Sequence, residues 1–180
     1  MQQKIQLRKK YLNFRKKNYY DIDKKIFSPL IKLIRSKFKK KFLNIALYYP
    51  SNFELNVLKI LEINNISAQN ILLPKIYKNS LMHFFPWKKN DVLFVNNYGI
   101  LEPIKTEIKI PDIMLVPVLA FDKNKFRLGY GKGFYDRYLK KYKNILTVGV
   151  AFSFQKHHKL PINQHDIKLD FILTEKGIYS

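Results

Sequence analysis

Apolar positions recur first at helical spacing. Leu7, Tyr11 and Phe14 stand at i, i+4 and i+7, with Lys and Arg filling much of the rest of residues 4–17. The period predicts an amphipathic helix that buries those three side chains, and Lys4 and Arg8, four apart, share a face of it. A second helix is expected after the N-cap candidates Asp21 and Asp23, where Ile26, Leu30, Leu33 or Ile34, and Phe38 repeat the spacing up to the basic run 39–41. Pro29 falls within its first two turns, at the helix start or at a kink. Residues 43–49 read as a buried strand closed by Pro50, and 53–63 return to helical spacing through Glu54, Leu58, Leu61 and Glu62.

Farther on, residues 70–77 and 91–95 hold short β-prone runs, with a less regular segment at 82–87 between them and a loop-like pattern over 96–111. Residues 113–120 predict an apolar strand, 129–133 a glycine-rich turn, 134–141 a helix and 145–152 another apolar strand, and 170–173 a last short one. Strand, loop, helix, strand is the crossover that joins parallel strands. The expected fold is therefore α/β, a three-layer sandwich with a mostly parallel sheet flanked by helices and its ligand at the carboxyl ends of the strands. No internal repeat and no linker rich in Pro, Gly or Ser divides it, so residues 1–180 are expected to form one domain.

Composition narrows this picture. A chain of 180 residues buries about 70% of its unfolded surface, and with 47% hydrophobic residues, 8 Pro and 6 Gly it is neither disordered nor a low-complexity array. The absence of cysteine excludes disulfides, thiolate metal sites and thiol nucleophiles, and suits a reducing compartment. The longest uncharged apolar run, 113–121, contains Pro117 and is far shorter than the roughly 20 residues of a membrane span. The first 20 residues carry seven Lys or Arg and no acid, but neither Ser enrichment nor an apolar h-region, and they read as part of the fold. A cytoplasmic monomer is expected. The net charge of +21 attracts polyanions without naming one, and drift towards Lys, Asn and Ile accounts equally for a surface of solvated lysines.

The glycines say more. Three of the six fall within five residues, in Arg127-Leu128-Gly129-Tyr130-Gly131-Lys132-Gly133-Phe134-Tyr135-Asp136-Arg137. Glycines permit positive φ and close approach, so successive N–H groups can turn inward around an anion at the mouth of a helix. Arg127, Lys132 and Arg137 bracket the turn with cations suited to phosphate oxygens. A tight strand-to-helix turn with ordinary surface cations is the plainer reading. The spacing G-x-G-x-G, followed by Phe134, matches neither the P-loop nor the dinucleotide fingerprint. Asp136, in the first turn of the following helix, is placed to hold a magnesium ion on bound phosphates or simply to complement the helix dipole. The four histidines form no metal motif, and there is no serine-hydrolase elbow.

Residues 112–122, followed by 127–139, closely resemble the 5-formyltetrahydrofolate cyclo-ligase (5,10-methenyltetrahydrofolate synthetase) family. Lys4, Leu7-Arg8, Glu54, Pro74, Met82, Glu102-Pro103 and the segment from Pro161-Ile162-Asn163 to Asp166 extend the resemblance over most of the chain. It implies closure of 5-formyltetrahydrofolate to 5,10-methenyltetrahydrofolate with MgATP, through phosphorylation of the formyl oxygen and attack by N10. On the family pattern, Lys4 and Arg8 reach ATP from the amino-terminal helix, while Arg127, Leu128, Gly129, Tyr130, Gly131, Lys132, Gly133, Phe134 and Tyr135 wrap its phosphates. Lys132 and Arg127 stabilise the transferred charge, Asp136 and Asp166 match the magnesium positions, and Tyr49 and Glu54 match positions that contact the folate. Trp87 and Tyr98 are candidates to stack on its rings or to pack in the core or rim. The chain departs from the family at Asn56 and Val57, where E-x-[DE]-T is usual, and at Phe134, a frequent tyrosine.

A different class of function, a basic single-stranded RNA-binding module, rests on the alternation of cations with Tyr11, Phe14, Tyr19 and Tyr20. Burial of Leu7, Tyr11 and Phe14 on one helical face would remove those rings from such a surface, leaving nucleic acid to non-specific contact through net charge. A generic nucleotide-binding domain with another phosphoryl acceptor is a third reading, distinguished by ATP binding without folate turnover.

Overall fold

The amino-terminal helix, α1 (Gln2–Asn18), forms as expected but presents a different face to the protein. Tyr11 and Arg15 are buried and Leu7 partly so, whereas Phe14 is 40% exposed, contrary to the apolar spacing. Arg15 takes the inward position because three backbone and side-chain oxygens wait for its guanidinium, a stronger demand than one phenyl ring makes. In the computed structural model of the chain, residues 2–39, 42–63, 66, 69–78, 81–104 and 107–180 are described; Lys40 and Lys41 of the basic run lie outside them.

A short 3-10 turn (Lys24–Phe27), capped by the Asp23 carboxylate on the Lys25 N–H at 2.7 Å, leads into α2 (Ser28–Lys37). Pro29 sits in the first turn of α2, where its missing N–H costs nothing. Strand β1 (Asn44–Ala46) is shorter than the apolar run that predicted it, because the chain leaves the sheet after Leu47.

The helix expected over 53–63 is largely replaced. Asn52 and Phe53 adopt φ of 48° and 62°, and only Val57–Glu62 form a 3-10 turn, capped by Asn56 on the Leu58 N–H at 3.1 Å. The left-handed pair turns Glu54 back onto the Ser51 N–H instead of letting it start a helix. Strand β2 (Asn70–Ile76) follows its prediction, and 82–87, read as irregular, is an edge strand, β3 (Met82–Pro86), antiparallel to it. Pro74 and Pro86 obscured this pairing in the sequence. A hairpin, β4 (Leu93–Val95) and β5 (Leu101–Pro103), interrupts the region read as loop.

The remaining elements are β6 (Ile113–Pro117), a small antiparallel pair β7 (Ala120–Phe121) and β8 (Arg127–Leu128), α3 (Phe134–Lys141), β9 (Leu146–Val150), β10 (Phe171–Thr174) and β11 (Gly177–Tyr179). The seven-stranded sheet runs β11-β10-β9-β6-β1-β2-β3. Its five inner strands are parallel and both edges antiparallel.

Alternate residues feed two opposite cores. Ile45, Leu73, Leu115, Val148 and Leu173 pack with Leu30, Ile31 and Ile34 of α2. Ala46, Leu72, Met114, Val116 and Ile172 pack with Tyr138 and Leu139 of α3. The three layers expected from the sequence are thus present. From β1 the chain winds one way through β2 and β3, and from β6 the other way through β9, β10 and β11. Order therefore reverses between β1 and β6, the place where open α/β sheets leave a crevice at the carboxyl ends of their strands.

Candidate active site

Everything that leaves the carboxyl ends of β1 and β6 meets at that reversal. After β1 come Tyr48, Tyr49 and the turn holding Glu54; after β6 the chain passes through β7 and β8 into residues 129–133. α1 closes the crevice from outside, with Tyr11 seated among Leu119, Ala120, Leu128 and Leu160.

The glycine turn needs two of its three glycines. Gly131 has φ of 99°, and a Cβ there would lie 2.9 Å from Cζ of Arg8. Gly133 has φ of 67° and forms the N-cap of α3, so the N–H groups of the first α3 turn open towards the 129–133 loop. The Arg8 Nε donates to the Gly129 carbonyl at 2.9 Å, and Arg137 donates to the Lys132 carbonyl. Lys132 is exposed, with Nζ 5.8 Å from the centre of the Tyr98 ring. The Tyr98 ring meets Phe134 edge-on at 6.1 Å, so Phe134 gives the exposed Tyr98 a partner.

Arg127 and the two aspartates gather beside this turn. Arg127 donates to Asp136 Oδ1 at 2.7 Å and to the Ile167 carbonyl at 2.8 Å, and Asp136 Oδ1 also accepts the Ile167 N–H at 3.1 Å. Burial pushes the Arg127 guanidinium below its ordinary pKa, opposed by the negative charge of Asp136 and, farther off, Asp166. Asp166 pairs with Lys4 and accepts the Asn163 N–H at 2.7 Å. Asp136 is paired with Arg127 and Asp166 with Lys4, and each carboxylate engages these partners through one oxygen. Hard carboxylate oxygens beside a turn of this geometry suit a cation that takes most of its ligands from phosphate and water. No cluster of three or more potential metal ligands exists among the described residues.

The opposite wall is a buried relay that sequence reasoning missed. Arg15, 1% exposed, donates to the Asn52 carbonyl at 3.0 Å and to the Tyr130 hydroxyl; Tyr130 in turn donates to Glu54 Oε1 at 2.9 Å. The Ser51 N–H satisfies Glu54 Oε2 at 2.9 Å. Glu54 is only 6% exposed, and burial raises its pKa, while Arg15 and the hydrogen bonds from Ser51 and Tyr130 hold it down. Burial, reinforced by the Glu54 charge, also raises Tyr135. Arg15 was visible only as one more cation in a basic run; its spacing from Lys4, Arg8 and Tyr11, at i, i+4, i+7 and i+11, is the signal of a single polar face.

Other predicted positions divide plainly. Tyr49 is half-buried against the first core, and Tyr48 before it is fully committed, donating to the Leu55 carbonyl at 2.9 Å. Trp87 is 6% exposed within the first core, so it packs rather than lines the crevice, whereas Tyr98 stands on the rim. Of the aromatics that suggested a single-strand binder, Tyr11 is buried and Phe14 is exposed against Phe154 at 5.2 Å.

A glycine turn ringed by cations at the reversal of a parallel sheet, with carboxylates on both sides, defines a phosphate-handling α/β enzyme. The chain belongs to the 5-formyltetrahydrofolate cyclo-ligase family, whose sequence model matches residues 1–175. It is 29% identical to the 5-formyltetrahydrofolate cyclo-ligase of Haemophilus influenzae over 188 residues, 95% of each chain. It is 31% identical to that of Mycoplasma pneumoniae over 160 residues, covering 86% of this chain and 85% of the other. Among solved structures, the fold matches the 5,10-methenyltetrahydrofolate synthetase of Aquifex aeolicus with a TM-score of 0.77 and 33% identity, over 97% of this chain and 91% of that one. The corresponding Mycoplasma pneumoniae structure matches with a TM-score of 0.70 and 28% identity, over 96% and 98%.

Proposed function

We propose that the crevice between the glycine turn and Glu54 is where this ligase of folate one-carbon metabolism converts 5-formyltetrahydrofolate to 5,10-methenyltetrahydrofolate at the expense of ATP. The observation that carries the assignment is the Tyr130–Glu54 hydrogen bond: it joins the turn suited to phosphate directly to a buried carboxylate suited to a pterin. A formyl oxygen on nitrogen is a poor leaving group. It therefore attacks the γ-phosphorus, ADP departs, N10 adds to the activated carbon and loses its proton, and the oxygen leaves as phosphate. Such a transfer needs positioning and positive charge rather than a covalent nucleophile.

In this reading the backbone of residues 128–135 wraps the triphosphate, and Lys4 and Arg8 approach it from α1. Lys132, on the exposed lip of the turn, supplies charge to the phosphoryl group in transfer. Arg127 is committed to Asp136 and Ile167, and supports Lys132 by holding the loop-to-helix junction. Glu54 receives pterin N–H groups, with Tyr49 beside it. Asp136 and Asp166 would hold magnesium, which neutralises charge on the phosphates. Asn56, which replaces the usual acid, serves as a cap, so its departure from the family alters the turn beneath Glu54 rather than the carboxylate itself.

No helix among the described residues is long and apolar enough to cross a membrane; we infer one domain over 1–180 that works as a monomer in the cytoplasm and meets nucleic acid only through its net charge. Incubation with MgATP and 5-formyltetrahydrofolate should raise near-ultraviolet absorbance as the methenyl bridge forms. A folded sample that produces no rise overturns the proposal.

A further inference from the structure

The mechanism above uses Glu54 and the glycine turn but leaves Arg15 without a task. A buried guanidinium is costly to desolvate and persists where its hydrogen bonds are satisfied. Here its bonds go to three parts of the chain: the Asn52 carbonyl in the turn after β1, the Val118 carbonyl at 3.4 Å after β6, and the Tyr130 hydroxyl in the glycine turn. Arg15 thus ties together the two strand ends that bound the crevice.

Its effect on Tyr130 is directional. A phenol has one hydrogen to give. Because Arg15 donates to the Tyr130 oxygen, that hydrogen is left to point away, and it points at Glu54 Oε1. With Ser51 holding the other oxygen, the Glu54 carboxylate is fixed from both sides. Tyr130 itself belongs to a turn with left-handed glycine at Gly131 and Gly133, tethered by Arg8 at Gly129. An anion gripped by the backbone of this turn therefore acts on the same residue whose hydroxyl aims Glu54.

We infer that Arg15 is a positioning residue which, through Tyr130, couples the nucleotide and folate subsites so that each ligand tightens the other. This rests on the ligand assignments proposed above. Reciprocity follows from thermodynamics: whatever factor ATP adds to folate affinity, folate adds to ATP affinity. The charged and titratable groups facing Glu54 are Arg15 from α1, Tyr130 from the glycine turn, Tyr48 from the segment after β1 and Tyr135 from α3.

The test is a set of binding measurements on the full chain. The Kd of 5-formyltetrahydrofolate is taken with and without magnesium and a non-hydrolysable ATP analogue, for the unsubstituted protein, Tyr130→Phe and Arg15→Lys. In the unsubstituted protein the analogue should tighten folate binding by about fivefold or more, the lower end of ordinary allosteric coupling. Tyr130→Phe keeps the ring and removes the relay hydrogen; it should bring that ratio to about one while the analogue still binds. Arg15→Lys keeps charge but loses the planar fork, and should give an intermediate ratio. The acid limb of kcat/KM should also move to higher pH in Tyr130→Phe, which removes a hydrogen bond that holds the Glu54 pKa down, and much less in Arg15→Lys, which keeps the charge. A protein that turns over but shows a ratio of one, or a Tyr130→Phe variant that keeps the full ratio, overturns the coupling alone. An unsubstituted protein that neither binds folate nor turns over overturns the functional reading beneath it.

Discussion

Arg8 lies across the face of Gly131, its guanidinium so close that a Cβ on the glycine would stand 2.9 Å from Cζ. The two residues are far apart in sequence, yet the same guanidinium that lies against Gly131 donates from its Nε to the Gly129 carbonyl at 2.9 Å. Gly131→Ala should be harmful on two counts: a φ of 99° suits few side chains, at about 1–3 kcal/mol of local strain, and the methyl group drives Arg8 off its carbonyl. Calorimetric titration with an ATP analogue should show affinity reduced about tenfold. Gly129→Ala, where φ is not positive and nothing lies within 4 Å of the new methyl group, should lose less. Equal losses would remove Arg8 from the explanation.

Asp136 and Asp166 match the same magnesium role but sit in different electrostatic settings, and their substitutions should separate. The Arg127 side chain is 5% exposed and depends on Asp136 for its charge partner. Asp136→Asn strands that charge and should cost about 3 kcal/mol of stability, the lower end of breaking a buried pair, because the Ile167 carbonyl remains. Asp166→Asn keeps an oxygen for the Asn163 N–H and loses only a partly exposed pair with Lys4, about 1 kcal/mol. Urea unfolding of the two variants measures the difference directly, and comparable midpoints would mean that Arg127 does not rely on Asp136. Both variants should need more magnesium for half-maximal rate.

The elements legible in the sequence are those whose local pattern and tertiary role agree. α3 follows the glycine turn as its helical period requires, and β6 and β9 coincide with apolar runs buried on both faces of a parallel sheet. Residues 53–63 carried the same helical period, but Glu54 is wanted at the crevice, and the left-handed Asn52 and Phe53 that deliver it there break the helix. The face of α1 was misread for a related reason. The rule that apolar side chains turn inward selects Phe14, whereas a site assembled from Lys4, Arg8 and Arg15 turns cations inward. Of the candidate site, the turn and its acids were readable from motif, while the Arg15–Tyr130–Glu54 relay joins residues too far apart in the chain for any local pattern to reveal.

The burial of Glu54 makes a claim about pH. Its pKa is raised in the folded protein, so between the ordinary glutamate value near 4.5 and the raised one the folded state holds more protons than the unfolded state. Stability from this group is therefore fully present below that window and declines as pH rises through it. Glu54→Gln removes the decline. The variant's stability relative to the unsubstituted protein should improve as pH is raised above the ordinary glutamate value and level off once Glu54 is ionised, followed by denaturant unfolding at each pH. The same variant should bind 5-formyltetrahydrofolate more weakly at pH 7, since the ionised carboxylate is what the pterin N–H groups meet. A stability difference that is flat with pH would show that Glu54 titrates normally despite its burial.

Lys132 offers the sharpest separation of chemistry from folding. It is exposed, and its ammonium lies over the Tyr98 ring, itself on the surface, so Lys132→Ala should change unfolding free energy by no more than about 0.5 kcal/mol. If its ammonium meets charge only as the phosphoryl group moves, removing it should lower kcat by about 100-fold or more, with a smaller change in the KM for ATP. Lys132→Arg, which retains the charge on a longer and planar head, should recover part of the rate. Tyr98→Leu provides the control for the ring contact: it removes the cation–π partner but not the cation, and should affect the rate far less. A Lys132→Ala protein whose kcat is intact while KM rises would make the lysine a ground-state ligand of the nucleotide. One that loses rate only in proportion to its loss of folded protein would make it a surface residue.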